Sequence, residues 1–362
     1  LSQQVQETKG IAPSRRFDDY RRFWLLIGAG WLGTNLGYAM YDLPLRFLLK
    51  DQIKLDAAAI AAFFAIGHFT NYVKPLAGIF TDAVPIFGTR RRHYLLLSLT
   101  VCGAMWLLLS LVPRTYGSLL VSYTVMYISV VFISTTLGGV MSEGGAKFNA
   151  SGRLSAQRIG VFRIVGLVGG PVGGWLATKA FGYTCAAVAG FHFLLVPLFF
   201  FKLREPRTAK KDQQAIDNVK HQARVLFRSR TLWSAAGLIF LLFIEPGFGT
   251  PLFFYQTKTL GFKPEFIGFL RTVAAPCGVC SAFLFSLLCK RFSLRPLIVM
   301  GIVTHVFAAL MFLGYKSHGS AILITALYET AQTLAVLPLY DLAIRASPKG
   351  SEALGYSVMM SV

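Results

Sequence analysis

The sequence predicts an all-α polytopic membrane protein: a bundle of about 10–11 helices, built as two six-helix repeats of which the second is incomplete. Three observations carry this. Of 362 residues, only 14% are charged and 54% are hydrophobic, with a mean hydropathy of +0.56; a soluble chain carries about a quarter charged residues. Apolar runs long enough to cross a bilayer, about 20 residues each, follow one another along the chain. One long polar stretch divides those runs into two groups that resemble each other.

Taken in order, the runs are 23–48, 57–80, 94–112, 117–140, 156–178, 183–201, 231–257, 264–289, 295–314 and 319–344, and 353–362 begins another. Their length and their lack of period-two alternation select helices over barrel strands, because lipid offers an open backbone group no partner. The net charge of +20 sits in alternate loops. These carry Arg15, Arg16, Arg21 and Arg22; Arg90 to Arg92; Lys147, Arg153 and Arg158; the segment 202–230; Lys290, Arg291 and Arg295; and Arg345 with Lys349. The opposite loops carry little excess charge, for instance Arg114 alone or Lys316 alone. Basic loops stay in the cytoplasm, which places the N-terminus there and makes a nucleic-acid partner the wrong reading of the charge. The lipid bilayer is the expected partner.

The first 20 residues are polar and the first apolar run is too long for a cleavable signal. The chain opens on Leu1 and stops at Val362 within an apolar run, so both ends read as cut. Compact loops and the lack of a transit segment point to a bacterial inner membrane. Asn149-Ala150-Ser151 is a chance sequon on the cytoplasmic side. Cys277 and Cys280 form a CxxC inside an apolar run, where cysteine behaves as a small hydrophobe; neither a metal nor a cofactor is expected. HExxH, GxSxG and phosphate-loop motifs are missing, which argues against a membrane-embedded enzyme.

The polar stretch "KLREPRTAKKDQQAIDNVKHQARVLFRSR" gives three regions: a six-helix bundle over 1–201, a cytoplasmic linker over 202–230 and a second bundle over 231–362. "PLRFLLKDQIKLDAAAIAAF" from Pro44 and "PLFFYQTKTLGFKPEFIGFL" from Pro251 align without gaps, sharing Pro-Leu, Phe47 with Phe254 and Ile60 with Ile267. Parallel repeats of this kind are the plan of major facilitator transporters.

Between the second and third runs stands "NYVKPLAGIFTDAVPIFGTRRRHY". Gly78, Asp82, Gly88, Arg90, Arg91 and Arg92 match the facilitator loop pattern. An aspartate at a helix C-terminus is disfavoured by the dipole. A contact that neutralises Asp82 and breaks as the bundles rock makes a gate; a solvated topology anchor is the plainer alternative. The wording also resembles the folate–biopterin transporter family, as do "LPLRFLLKDQIKLDAAAIA", "LFFYQTKTLGFKPEFIGFLR" and "PLYDLAIRASPKGSEALGYSVMMS". That resemblance implies a secondary transporter that moves a folate- or pterin-like solute by alternating access, coupled to protons and acting as a monomer. It also implies that runs one, four, seven and ten line a central cavity. One departure bears on the cargo: in "ISTTLGGVMSEGG" Glu143 is present, but Gly138 stands where the family commonly has an acid. A facilitator for another small organic solute, or a receptor or scaffold that no longer transports, remain the alternatives.

Ionisable residues inside spans are expensive, about 2.5–3.5 kcal/mol on insertion scales, so they are candidates for function. Asp42 lies toward the outer end of the first run, as a proton acceptor or as an interfacial acid near Lys50. Glu245 precedes Pro246 and two glycines, a broken-helix setting for substrate contact. Tyr255 and its neighbours Phe253 and Phe254 offer rings for stacking. Glu329 lies within the tenth run with Gln332 near its face. Lys74 either snorkels or holds an anion in the cavity; Arg163 and Arg271 are anchors or cavity bases. Asp341 and Arg345, four apart, read as a structural pair. The glycines at 166, 170 and 174, and at 169 and 173, permit close helix packing. His68, His192 and His305 read as packed side chains.

Overall fold

The computed structural model describes residues 13–148, 150–205, 225, 228–243, 248–289 and 291–346. They form helices joined by short loops. The first run becomes α1 (Pro13–Phe47). The second is α2 (Ala57–His68), a 3-10 turn (Phe69–Val73) and α3 (Lys74–Ala83). The next four are α4 (Arg92–Leu111), α5 (Tyr116–Phe148), α6 (Ser151–Ala177) and α7 (Phe181–Lys202). Beyond the polar stretch come α8 (Arg230–Phe243), α9 (Gly249–Phe254), α10 (Pro264–Leu288), α11 (Leu294–Leu310) and α12 (His318–Ala346).

Among the described residues seven helices are long and apolar enough to cross a membrane: α4, α5, α6, α7, α10, α11 with its 3-10 end, and α12. The other three runs differ for local reasons. α1 is long, at 35 residues, but glycine, tyrosine, Asn35 and Asp42 dilute its apolar character. The second run is not one helix: Pro75 has no amide to donate, so it sits in the first turn of α3, where none is needed, and a 3-10 turn precedes it. The seventh run resumes at α9 after a short gap in the described residues, 244–247.

The two aligned stretches fold alike. The shift that carries Pro44 onto Pro251 also carries the π-helical turn Leu48–Gln52 onto the π-helical turn Tyr255–Thr259. It carries the closing bond Leu55 N–H to Leu49 O (3.0 Å) onto Phe262 N–H to Gln256 O (2.8 Å). It carries Lys54, at φ +62°, onto Gly261, at φ +63°. A lysine in the left-handed region is strained where glycine is not, so the turn geometry is imposed on Lys54 by its surroundings.

α6, in the first half, packs against both α1 and α10. Its Gly169 and Gly173 lie against Ala39 of α1, and its Gly166, Gly170 and Gly174 lie against Ala275, Gly268 and Pro264 of α10. A methyl group on Gly174 would come within 2.9 Å of the Pro264 carbonyl, and one on Gly170 would overlap the Gly268 carbonyl. Only glycine lets these backbones touch. One apolar core spans α1 to α7, centred on Trp106, Tyr123 and Leu99; a second joins Leu43 to Phe253, Ile267, Tyr315 and Ile324. The histidines are packed with partners: His68 Nε2 lies 3.0 Å from the Tyr123 hydroxyl, and His192 Nδ1 lies 2.8 Å from the Val188 carbonyl.

Candidate functional site

The site begins at the end of α1. Asp42 is buried, 4% exposed, one turn before Arg46. That spacing puts both on one helix face, and Arg46 Nε donates to both carboxylate oxygens, at 3.2 and 3.3 Å. Arg271 of α10, in the other half, also donates to Asp42 through Nη2. Arg46 Nη1 in turn donates to the Thr250 hydroxyl at the start of α9, 3.2 Å away, and its guanidinium lies over the Phe64 ring at 4.5 Å. One buried acid is thus shared by a base of its own helix and a base of the other half. Breaking such a pair by removing one partner costs about 3–5 kcal/mol, because the other charge stays buried.

This cluster forms one wall of a cavity of about 380 Å³. The wall includes Leu43 and Arg46 from α1, Phe253 and Gln256 from the seventh run, Arg271 from α10, and Tyr328 and Glu329 from α12. Gln256 is fixed by donating to the Tyr315 hydroxyl at 2.6 Å. The guanidinium of Arg163, on α6, lies against Gly278 of α10.

Of the residues expected at a site, Asp42 and Arg271 meet directly and Glu329 lines the same cavity, whereas Arg163 lies outside its wall. Gln332 is half-buried and lies outside the cavity wall. Tyr255 is 37% exposed and the wall takes Phe253 in its place. Lys74 is exposed at the first residue of α3. Glu245 lies outside the described residues, as do the side chains of Asp82, Asp341 and Arg345. Arg46 and Thr250 were not anticipated. The Asp42–Arg46 spacing was the available signal for the first; nothing in the sequence marked the second.

The basic loop is also built. Phe87 and Gly88 both have positive φ, +47° and +78°, and Ile86 and Thr89 exchange two backbone bonds of 3.0 Å around them. This is a two-residue turn that calls for glycine. α4 then starts without a side-chain cap of its own. Glu205, just past α7, supplies one: its carboxylate accepts from the amides of Arg90 and Arg92 at 2.8 Å each and of Arg91 at 3.1 Å. An anion at a helix N-terminus satisfies open N–H groups and complements the dipole. Arg91 Nε donates to Glu143 of α5 at 2.7 Å, its guanidinium lying on Gly139. Arg92 donates to the Phe200 carbonyl at 2.6 Å. Gly78 lies half-buried beside Thr135 of α5.

Comparison with known proteins places this arrangement. The fold matches solved major facilitator transporters. A bacterial homologue of the human lysosomal transporter Spinster, in an inward-facing, unoccupied conformation, superposes with a TM-score of 0.68 over 97% of this chain and 79% of its own, at 15% identity. The folate–biopterin transporter of Synechocystis is 27% identical over 351 residues, 88% of this chain and 67% of the relative. Folate transporter 1 of Plasmodium falciparum is 25% identical over 350 residues, 88% and 66%. The chain thus spans about two thirds of the length of these relatives. The model of the BT1 family matches residues 36–362. By that match and by its fold, the chain is a multi-pass integral membrane protein and belongs to the BT1 family of folate–biopterin transporters.

Proposed function

We propose that this chain is a secondary transporter that carries a pterin-bearing solute, folate or biopterin, by alternating access of its two halves, with protons as the coupling ion. The observation that carries this is the cavity of about 380 Å³ walled by both halves. Its size falls within the range of small-molecule sites. Its chemistry suits a flat, amino-substituted heterocycle: Phe248 and Phe253 offer ring faces, and Glu329 offers an acceptor for an amino edge. The names of the matching relatives agree with this cargo.

The basic loops fit a cytoplasmic face. The halves touch near the other end, through Gly170 and Gly268, Gly174 and Pro264, and Phe47 and Phe253, whose rings lie 5.1 Å apart. The conformation described is therefore closed on the side away from the cytoplasm. Purified protein in proteoliposomes tests the function. Labelled folate or biopterin is expected to enter saturably and to exchange against unlabelled solute. An acid-outside gradient is expected to speed entry, and an ionophore that collapses it to remove the gain. Absence of saturable uptake for both solutes would falsify the substrate reading; uptake indifferent to the gradient removes the proton.

A further inference from the structure

We propose that Arg46 and Arg271 form a seat for one carboxylate of the transported solute, and that this carboxylate takes Arg271 from Asp42 as it binds. The proposal deepens the transporter reading and rests on it. It starts from a charge count. Two guanidinium groups share a single carboxylate in the cluster, so the cluster carries one unit of positive charge in surplus. A surplus charge in a protein wall is costly unless a counter-ion meets it. Glu329 lines the same cavity, but no ion pair joins it to Arg46 or Arg271 among the described residues. One more anion completes the balance.

The geometry says from which side that anion comes. Asp42's side chain is 5% exposed, whereas Arg271's is 38% exposed, and both arginines line the cavity while Asp42 does not. The cluster therefore shows the cavity a guanidinium face, with its own acid behind. Among the described residues the Arg271 side chain makes one hydrogen bond, the N–H given to Asp42. The planar fork of an arginine matches a carboxylate in two parallel bonds, so a solute acid is a strong competitor for it. The competition has a mechanical consequence. Asp42–Arg271 and Arg46–Thr250 both join α1 to the other half, beside the backbone contact of α6 with α10. Drawing Arg271 off Asp42 removes a bond that holds the halves together.

The test is equilibrium binding to the purified chain in detergent, with three probes: folate, which has carboxylates; biopterin, which has none; and 4-aminobenzoylglutamate, which has the carboxylates without the pterin. Arg271→Gln is expected to weaken folate and the benzoylglutamate by roughly 10- to 100-fold while moving biopterin less than about threefold. Arg271→Lys keeps the charge without the fork and is expected to fall between. Asp42→Asn removes the built-in competitor and is expected to tighten both acids, a sign that loss of structure does not produce. The proposal is overturned if Arg271→Gln shifts acids and biopterin alike, if Asp42→Asn weakens the acids, or if the wild-type chain binds no benzoylglutamate. If benzoylglutamate binds through Arg271 but neither pterin binds, the seat stands and the pterin reading falls.

Discussion

Gly170→Ala is a one-methyl change whose effect on conformation can be worked from the contact it meets. On the α6 backbone as it stands, the new Cβ would overlap the Gly268 carbonyl and lie 3.0 Å from Arg271 Cβ. The first of these is backbone, so no rotamer change relieves it; α6 and α10 must separate. Overpacking of this kind costs about 1–3 kcal/mol. The cost falls on the conformation in which the halves touch, and an open one escapes it. The ratio of open to closed is then expected to rise by about 5- to 150-fold. Spin labels at Lys179→Cys and Lys316→Cys read this out. Both positions are exposed, on loops at the end away from the basic segments, one in each half; the exposed native Cys280 and Cys289 are replaced first. The distance distribution of the Gly170→Ala protein is expected to gain a longer component at the expense of the short one. An unchanged distribution, in a protein that folds and melts like wild type, would mean that α6 and α10 do not meet through backbone, and the closed-state description would be wrong.

Three further outcomes follow from local structure. Glu205→Ala strips α4 of the acceptor for three amides; a lost charged cap costs about 2 kcal/mol, read as a lower melting temperature in detergent, and Glu205→Gln is expected to recover part of it. Gly261→Ala forces a side chain into the left-handed region at φ +63° and is expected to cost about 1 kcal/mol, whereas Lys54→Gly, at the matching position, is expected to cost little because relieved strain offsets added chain entropy. Arg91→Ala breaks a pair whose acid is 62% exposed, worth no more than about 1 kcal/mol; melting should barely move, and a large fall in solute uptake at unchanged stability would assign the pair to gating, whereas unchanged uptake would leave it a topology anchor.

The spans were legible because lipid imposes one rule on every residue of a run, and the repeat was legible because a turn closed by the same backbone bonds leaves Pro-Leu and spacing in both copies. The break at Val73–Lys74 was not, since an apolar window averages over it. Asp42 was legible as a costly buried acid, but Lys50, its nearest base outside its own helix turn, pairs with Asp51 at 3.0 Å instead. Its second partner, Arg271, lies 229 residues away, and nothing local to either residue announces the other. Glu205 was hidden for the opposite reason. It sits at the edge of a charged stretch, where an acid looks solvated, and its role exists only because the end of α7 is brought to the start of α4.

The repeat also explains why the charge cluster lies where it does. The shift that superposes Pro44 on Pro251 pairs Asp42 with Gly249, Leu43 with Thr250, Arg46 with Phe253 and Phe64 with Arg271. At each position one half has a polar or charged group and the other an apolar or small one. Two contacts between members of different pairs, Arg46–Thr250 and Arg271–Asp42, cross the junction, and Arg46 over Phe64 stays within the first half. Leu43, Gly249 and Phe253 join the arginines in the cavity wall. A symmetric pair of halves would make each such contact twice, once from each copy. Divergence leaves the acid–base contact single, with Gly249 and Phe64 standing where its second copy would be. Swapping Phe64 and Arg271 is the direct check: Phe64→Arg with Arg271→Phe moves the base into the half that already holds Asp42 and Arg46. It should keep the cluster's charge while loosening the closed end, seen as a longer spin-label distance; a closed end as tight as wild type would show that the divergence of the copies is incidental to the latch.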